Sequence, residues 1–362
     1  MKKKKYWSAE NLYKKNPDFN YAIVYGQKSN GKSYDIKKRA IRDAIDDMGI
    51  FIYMRRYDLD IKTKDVESYF GDAPIDELTH GEYNGVIVKS RFIYLAKYED
   101  GEKAKQGKLI GRAVYLAGYE HNASQNFGRV AHIIFEEVMT TGMYYPGEAN
   151  LLQKFVSTIL RDNNEHCKVW LIGNTVNRIF PYTYEWSLNN LLKQKQGTID
   201  EYHYKRYDEE LEMEVDTVVL CEYCESAGSA SRFTFGKSAE MIAGGMWETK
   251  EMPKLPMERE QYDKVYEILL RDMGFSFVLE LLINPTNGGQ IVFVYPYTKT
   301  RNIRRILTMQ FSDDPFTSFG LSDKIKGEIM IGQLIKSQKI CYSDNQTGTD
   351  FQQVLQNRGG LR

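Results

Sequence analysis

Tyr21-Ala22-Ile23-Val24-Tyr25 runs directly into Gly26-Gln27-Lys28-Ser29-Asn30-Gly31-Lys32-Ser33. The first five residues read as a short buried strand. The next eight match G-x-x-x-x-G-K-[ST] at every fixed position. From Gly31 to Asp47 the pattern turns helical, so the string lies between a strand and a helix. In such a turn the glycines let backbone N–H groups close around phosphate oxygens, and the helix N-terminus adds favourable dipole charge. Lys32 is expected to reach the β- and γ-phosphates of ATP, and the Ser33 hydroxyl to hold Mg2+. Gly26, Gln27, Lys28, Ser29, Asn30 and Gly31 complete the expected cradle.

A hydrolase built on this loop needs acid groups beside the metal. Ile133-Ile134-Phe135-Glu136-Glu137 supplies an apolar strand that ends in paired carboxylates. Glu136 is expected in the Mg2+ shell, although Asp is usual there and Glu is one methylene longer. Glu137 is expected to orient or deprotonate the attacking water. A base beside the metal acid favours hydrolysis, since a small-molecule kinase with the same loop has no need of one. Asn174 ends another strand, Lys168–Gly173, where a polar sensor of γ-phosphate would sit. Lys32 and Phe135 are 103 residues apart, with strand-like segments between them. That spacing fits an ATPase core with added strands.

The chain has 362 residues, enough for two domains and a substantial core without disulfides. Apolar residues are 42% and charged residues 27%, and mean hydropathy is −0.52. This composition excludes a membrane span, and Met1–Trp7 lacks the apolar stretch of a secretion signal. Four cysteines are too few for a disulfide framework, so a reducing cytosol is the default. The Cys221/Cys224 pair lacks the second pair that a structural zinc site requires.

The first half alternates strand-like and helix-like stretches, the mark of α/β architecture with a mainly parallel sheet. Residues 1–205 read as one nucleotide-binding domain. Tyr202–Val215 is dense in charge without a core pattern, and residues 206–253 read as a linker or small subdomain. A C-terminal domain is expected over 254–345. Its helix spans Glu258–Asp272 and is followed by a hairpin of Phe275–Ile283 and Gln290–Tyr295. Residues 346–362 read as a loose polar tail.

The compact loop near the N-terminus, Ile50–Tyr57 with Arg55-Arg56, the Ile134–Val138 motif and Val156–Asn174 resemble the DNA-packaging motor ATPases of small-genome podoviruses. This phi29-type family is related to large terminases and to FtsK/HerA translocases. The resemblance covers roughly residues 5–200. It implies an ASCE-type P-loop core followed by a small RNase H-like domain that has lost nuclease catalysis. It also implies an ATP-driven ring, a homopentamer, that pushes double-stranded viral DNA through a portal into a procapsid in the host cytoplasm. Two other readings stay open: a nucleotide kinase, and a nucleotide-gated assembly protein without turnover.

Rings of this type complete each site with a cation from the neighbouring subunit. Arg161 matches the family's trans-acting arginine. Arg55, Arg56 and Arg178 are further candidates at the subunit interface. DNA contact by a motor should be electrostatic and independent of sequence. Lys103, Lys105 and Lys108 form a basic loop suited to it, with Lys2–Lys5 and Arg301, Arg304 and Arg305 as alternatives. Lys+Arg and Asp+Glu both number 49, which excludes a uniformly basic surface but not a basic pore. Glu280, Asp313, Asp314 and Asp323 have no spacing that supports a nuclease metal site.

Overall fold

Tyr21–Gly26 forms β1, the strand that carries the glycine-rich loop, in a computed structural model of the chain. The structure describes residues 6–100, 102–119, 125–161, 166–209, 212–225, 247–310 and 312–358. Lys2–Lys5 and the whole segment 226–246 lie outside them. The chain divides into two units.

The first unit comprises residues up to 140, then 147–176 and 185–246. It holds a nine-stranded sheet in the order β3-β4-β5-β2-β6-β7-β1-β9-β8. The strands are β1, β2 (Ile50–Arg55), β3 (Gly85–Lys89), β4 (Phe92–Lys97), β5 (Lys105–Tyr115), β6 (Val130–Glu136), β7 (Lys168–Asn174), β8 (Thr198–Asp208) and β9 (Met213–Tyr223). From β5 to β9 the neighbours run parallel, while β3, β4 and β8 add antiparallel edges. Strands covered on both faces need continuous apolar runs, and β1, β2, β6 and β7 supply them. One strand, β7, separates β1 from β6, the strand that ends at Glu136. Among the described residues, the α-helices of this unit are α1 (Glu10–Lys15), α2 (Lys32–Ile45), α3 (Thr63–Phe70), α4 (Ile75–Leu78) and α5 (Glu148–Ile159).

The second unit comprises residues 141–146, 177–184 and 247 onward. Its six-stranded mixed sheet has the order β14-β13-β10-β11-β12-β15. These strands are β10 (Asp263–Asp272), β11 (Phe275–Ile283), β12 (Gln290–Pro296), β13 (Ile306–Thr308), β14 (Thr317–Phe319) and β15 (Ile340–Tyr342). Pro181–Glu185 (α6), Lys326–Lys336 (α7) and Asn345–Arg358 (α8) are helical.

Three expectations are corrected here. Glu258–Asp272 is not a helix. Its apolar residues alternate between two clusters, with Ile268 and Leu270 in one and Leu269 in the other, which is the period of a strand. Met273 and Gly274, both at positive φ, turn it into β11. The 206–253 stretch is not a linker throughout, because β8 and β9 form a ribbon whose charges pair across the strands. Lys205 meets Glu214 at 3.0 Å and His203 meets Asp216 at 2.7 Å. The polar tail is largely a helix, α8. Asp344 accepts the Thr347 N–H at 2.8 Å, and Phe351 and Val354 are buried.

The expected hairpin of Phe275–Ile283 and Gln290–Tyr295 is present, with Ile283 opposite Gln290. No helix among the described residues is long and apolar enough to cross a membrane.

Candidate nucleotide site

Parallel strands place their C-terminal ends on one edge, and the glycine-rich loop leaves β1 at that edge. Gly26 has φ 145° and Gly31 φ 100°, backbone that side chains resist. A Cβ on Gly26 would stand 3.2 Å from the Cys224 carbonyl, and one on Gly31 would stand 3.2 Å from Tyr6. The preceding segment braces the loop: the Trp7 N–H donates to Asn30 O at 2.9 Å, and Ala9 N–H to Asp35 in α2 at 2.9 Å.

Lys32 opens α2 yet is buried. Its ammonium donates to Gln27 O at 2.7 Å, Asn30 Oδ1 at 3.1 Å and Asn174 Oδ1 at 3.5 Å. All three acceptors are neutral, and no carboxylate among the described residues pairs with it. Burial pulls its pKa below the usual lysine range, opposed by Cys224 and Glu136. A buried cation at a helix N-terminus, held only by neutral oxygens, fits an anion such as phosphate.

Glu136 ends β6 two strands from the loop, opposite Ile172 of β7. It is buried, and burial raises its pKa. Hydrogen bonds from Ser33 and Tyr69 and the charges of Arg55 and Lys37 act the other way. Ser33 hydroxyl and Glu136 carboxylate thus meet beside Lys32, an all-oxygen pair suited to Mg2+. Asn174 ends β7 opposite Gly26, which brings its amide to the same edge.

Glu137 follows with φ 55°, a left-handed conformation for a residue with a side chain. Its Oε2 accepts from Arg55 Nη2 at 2.5 Å. Arg55 also donates to Tyr53 Oη at 3.3 Å and lies 3.9 Å from Asp60. Lys32, Ser33, Glu136, Glu137, Asn174 and Arg55 therefore share one edge of the sheet.

Other expected site residues lie elsewhere or are otherwise engaged. Arg56 is no exposed interface cation. It is buried in a two-pronged pair with Glu148, Nε–Oε2 2.8 Å and Nη2–Oε1 2.9 Å. It also donates to the carbonyls of Glu137 at 3.1 Å and Val138 at 2.7 Å. Arg178 is held by Asp350 at 3.0 Å, within the second unit, so its charge is already answered. Arg161 is exposed just beyond α5 and shares a hollow with Gln125, Asn126, Phe127 and Thr158. Those residues flank the start of β6, so Arg161 sits toward the sheet edge opposite the loop.

The lysine-rich loop is also different. Lys105 and Lys108 belong to β5. Lys105 pairs with Glu99 at 2.9 Å and Lys108 with Asp47 at 2.6 Å. Lys103 is exposed ahead of the strand. Arg301 pairs with Glu280 at 2.8 Å and Arg305 with Glu328 at 2.6 Å, while Arg304 is exposed. Glu280 is fully buried between Arg259, Arg301 and Tyr295. No group of three or more His, Cys, Asp or Glu among the described residues is arranged to hold a metal. Cys221 and Cys224 are buried free thiols.

Sequence reasoning missed Tyr69, Arg56 as a buried strut, and Glu148. Only the extra methylene of Glu136, which calls for a donor to fix it, hinted at Tyr69.

A family model described as "Podovirus DNA encapsidation protein (Gp16)" matches residues 1–203. The DNA packaging protein of Bacillus phage phi29 is 29% identical over 163 residues, 44% of this chain and 44% of that one. The DNA packaging protein of Bacillus phage B103 is 30% identical over 163 residues, 44% of this chain and 46% of that one. The match thus spans less than half the length of these curated relatives. Among solved structures, the bacteriophage phi29 viral genome packaging motor assembly matches with a TM-score of 0.58 at 17% identity. It covers 98% of this chain and 99% of that one. That likeness is one of fold, and it extends over both units.

Proposed function

The chain belongs to the podovirus DNA encapsidation family, Gp16, and from that premise we propose that it is an ATP-hydrolysing motor that drives double-stranded viral DNA into a procapsid. The observation that carries the chemistry is the buried Lys32 ammonium, held by neutral oxygens next to Ser33 and Glu136. Lys32 and the loop N–H groups bind the β- and γ-phosphates of ATP. Ser33 and Glu136 hold Mg2+, which when bound draws charge from the phosphate oxygens. Asn174 hydrogen-bonds at the γ-phosphate end. Glu137 takes the proton of the attacking water. Its pairing with Arg55 engages Oε2 and leaves Oε1 as the oxygen that accepts the proton.

Arg161 faces away from its own loop, and its role is to reach a neighbour's site in a ring of copies, a pentamer. The motor works on the portal of a procapsid in the host cytoplasm. Lys103 is the member of its cluster best placed to follow DNA phosphates, because Lys105 and Lys108 already have carboxylate partners.

Separate measurements of nucleotide affinity and phosphate release test the site. Lys32→Ala should weaken ATP binding strongly. Glu137→Gln should bind ATP normally and lose about 10²–10⁴ in turnover, the usual contribution of a general base. Normal turnover in Glu137→Gln removes that residue from its role, and unchanged affinity in Lys32→Ala contradicts the nucleotide site.

A further inference from the structure

We propose that Tyr69 is the positioning residue of the metal-binding carboxylate: its hydroxyl holds Glu136 so that the longer side chain presents an oxygen to Ser33 where an Asp is usual. This rests on the nucleotide-and-Mg2+ reading above.

The residues concerned come from three elements. Tyr69 lies near the end of α3, and its hydroxyl donates to Glu136 Oε1. Ser33, in the first turn of α2, hydrogen-bonds to the same carboxylate. Glu136 is thus held by two hydroxyls, that of Ser33, which is expected to share the metal, and that of Tyr69, which also hydrogen-bonds to Ser33. A glutamate has one more rotatable bond than an aspartate. Left free, it would swing its carboxylate through several rotamers and lose metal affinity to that freedom. A second donor on the carboxylate restricts that freedom, as outer partners of metal ligands commonly do.

Tyr69 is itself held firmly. Its ring stacks on Tyr53 of β2 with centroids 4.6 Å apart and meets Phe70 edge-on at 5.0 Å. The Lys37 ammonium lies 4.3 Å over the ring, donates to the Tyr69 carbonyl and pairs with Asp72. Lys37 is one helical turn after Ser33 on α2, so one face of that helix places both the metal hydroxyl and the cation that steers Tyr69. Tyr53 in turn neighbours Ile134 on β6, one turn of the pleat before Glu136. The clamp is therefore built from rigid elements rather than from a loop.

The test is the Mg2+ dependence of nucleotide binding, measured with a fluorescent ATP analogue on the full chain. Four proteins are compared: the parent, Tyr69→Phe, Glu136→Asp and the double variant. Tyr69→Phe keeps the ring and its packing, and circular dichroism checks the fold. The Mg2+ concentration that half-tightens binding should rise about tenfold in Tyr69→Phe, the effect of losing one hydrogen bond to a charged group. Affinity without Mg2+ should stay unchanged. In the Glu136→Asp background the shorter side chain no longer reaches Tyr69, so Tyr69→Phe should add less than about twofold.

An equal shift in both backgrounds means that the Tyr69 hydroxyl acts through Ser33 and not through Glu136, and overturns the proposal. So does no shift, or a fall in Mg2+ demand, which would make the hydroxyl a competitor for the metal's place. A parent protein with no Mg2+-dependent binding contradicts the nucleotide reading, and the clamp falls with it. A parent that shows it while Tyr69→Phe does not differ contradicts the clamp alone.

Discussion

Glu148, Glu280 and Glu328 are fully buried carboxylates, and each is met by arginine. Glu222 of β9 is buried too, but it faces Trp7 and Asn11 instead of a cation, and burial raises its pKa to about 7. A folded pKa above the unfolded one means that the folded chain binds more protons between those two values. Stability from this group is then fullest below the unfolded carboxylate pKa, and it declines as pH rises to about 7. Glu222→Gln should therefore match the parent near pH 4 and exceed it near pH 8, by up to ~3 kcal/mol for a shift of this size. Urea midpoints at the two pH values check this, and an equal difference at both would contradict it. Lys32 and Glu136 obey the same rule in the nucleotide site. Burial disfavours the charge on each, and a bound phosphate and Mg2+ would restore what burial takes away.

The segment from Arg55 through α3 is the element that organises the acidic end of the site. Its first residue grips the Glu137 side chain, its second the Glu137 and Val138 carbonyls, and its Tyr69 grips Glu136. Arg56 stands at the middle of this arrangement because its buried pair with Glu148 ties α5 to the turn after β6. Arg56→Ala should destabilise the fold by about 3–5 kcal/mol, since it leaves the Glu148 charge buried without its guanidinium. Replacing both, as Arg56→Met with Glu148→Leu, should recover most of that stability. Turnover should not recover, because the two carbonyls still lack their donor. Urea denaturation and phosphate release on the same two proteins separate the outcomes. A double variant with full turnover would show that Arg56 serves stability only.

The elements near the loop were readable because each follows a local rule: an apolar run for β1, β6 and β7, and helical spacing for α5. Lys32, Ser33, Glu136 and Asn174 were readable for the same reason, since each sits where a strand or loop ends. What escaped depends on distant partners. Arg56 looks like a surface cation until Glu148, 92 residues later, closes over it. Glu258–Asp272 looks helical until β11 pairs with its second half. The outer half of the β8–β9 ribbon has no apolar stripe and carries cross-strand charge pairs instead, while the other half of β9 buries Val218 and Leu220 in the core.

At the scale of the whole chain, net charge is zero, with 49 basic and 49 acidic residues. Many of the cations expected to meet DNA are neutralised within their own unit. The proposed motor must concentrate its DNA contacts in few places, and the salt dependence of its DNA response should be correspondingly shallow. Each phosphate contact contributes roughly 0.9 to the log–log slope. The measurement that tests the central claim most directly is ATP turnover by the full chain with and without long double-stranded DNA, over a range of salt. Phosphate release should depend on Mg2+, rise when DNA of any sequence is added and lose that stimulation as salt increases. Turnover that ignores DNA and instead follows a small phosphate acceptor, or ATP binding without turnover under every condition, would contradict it.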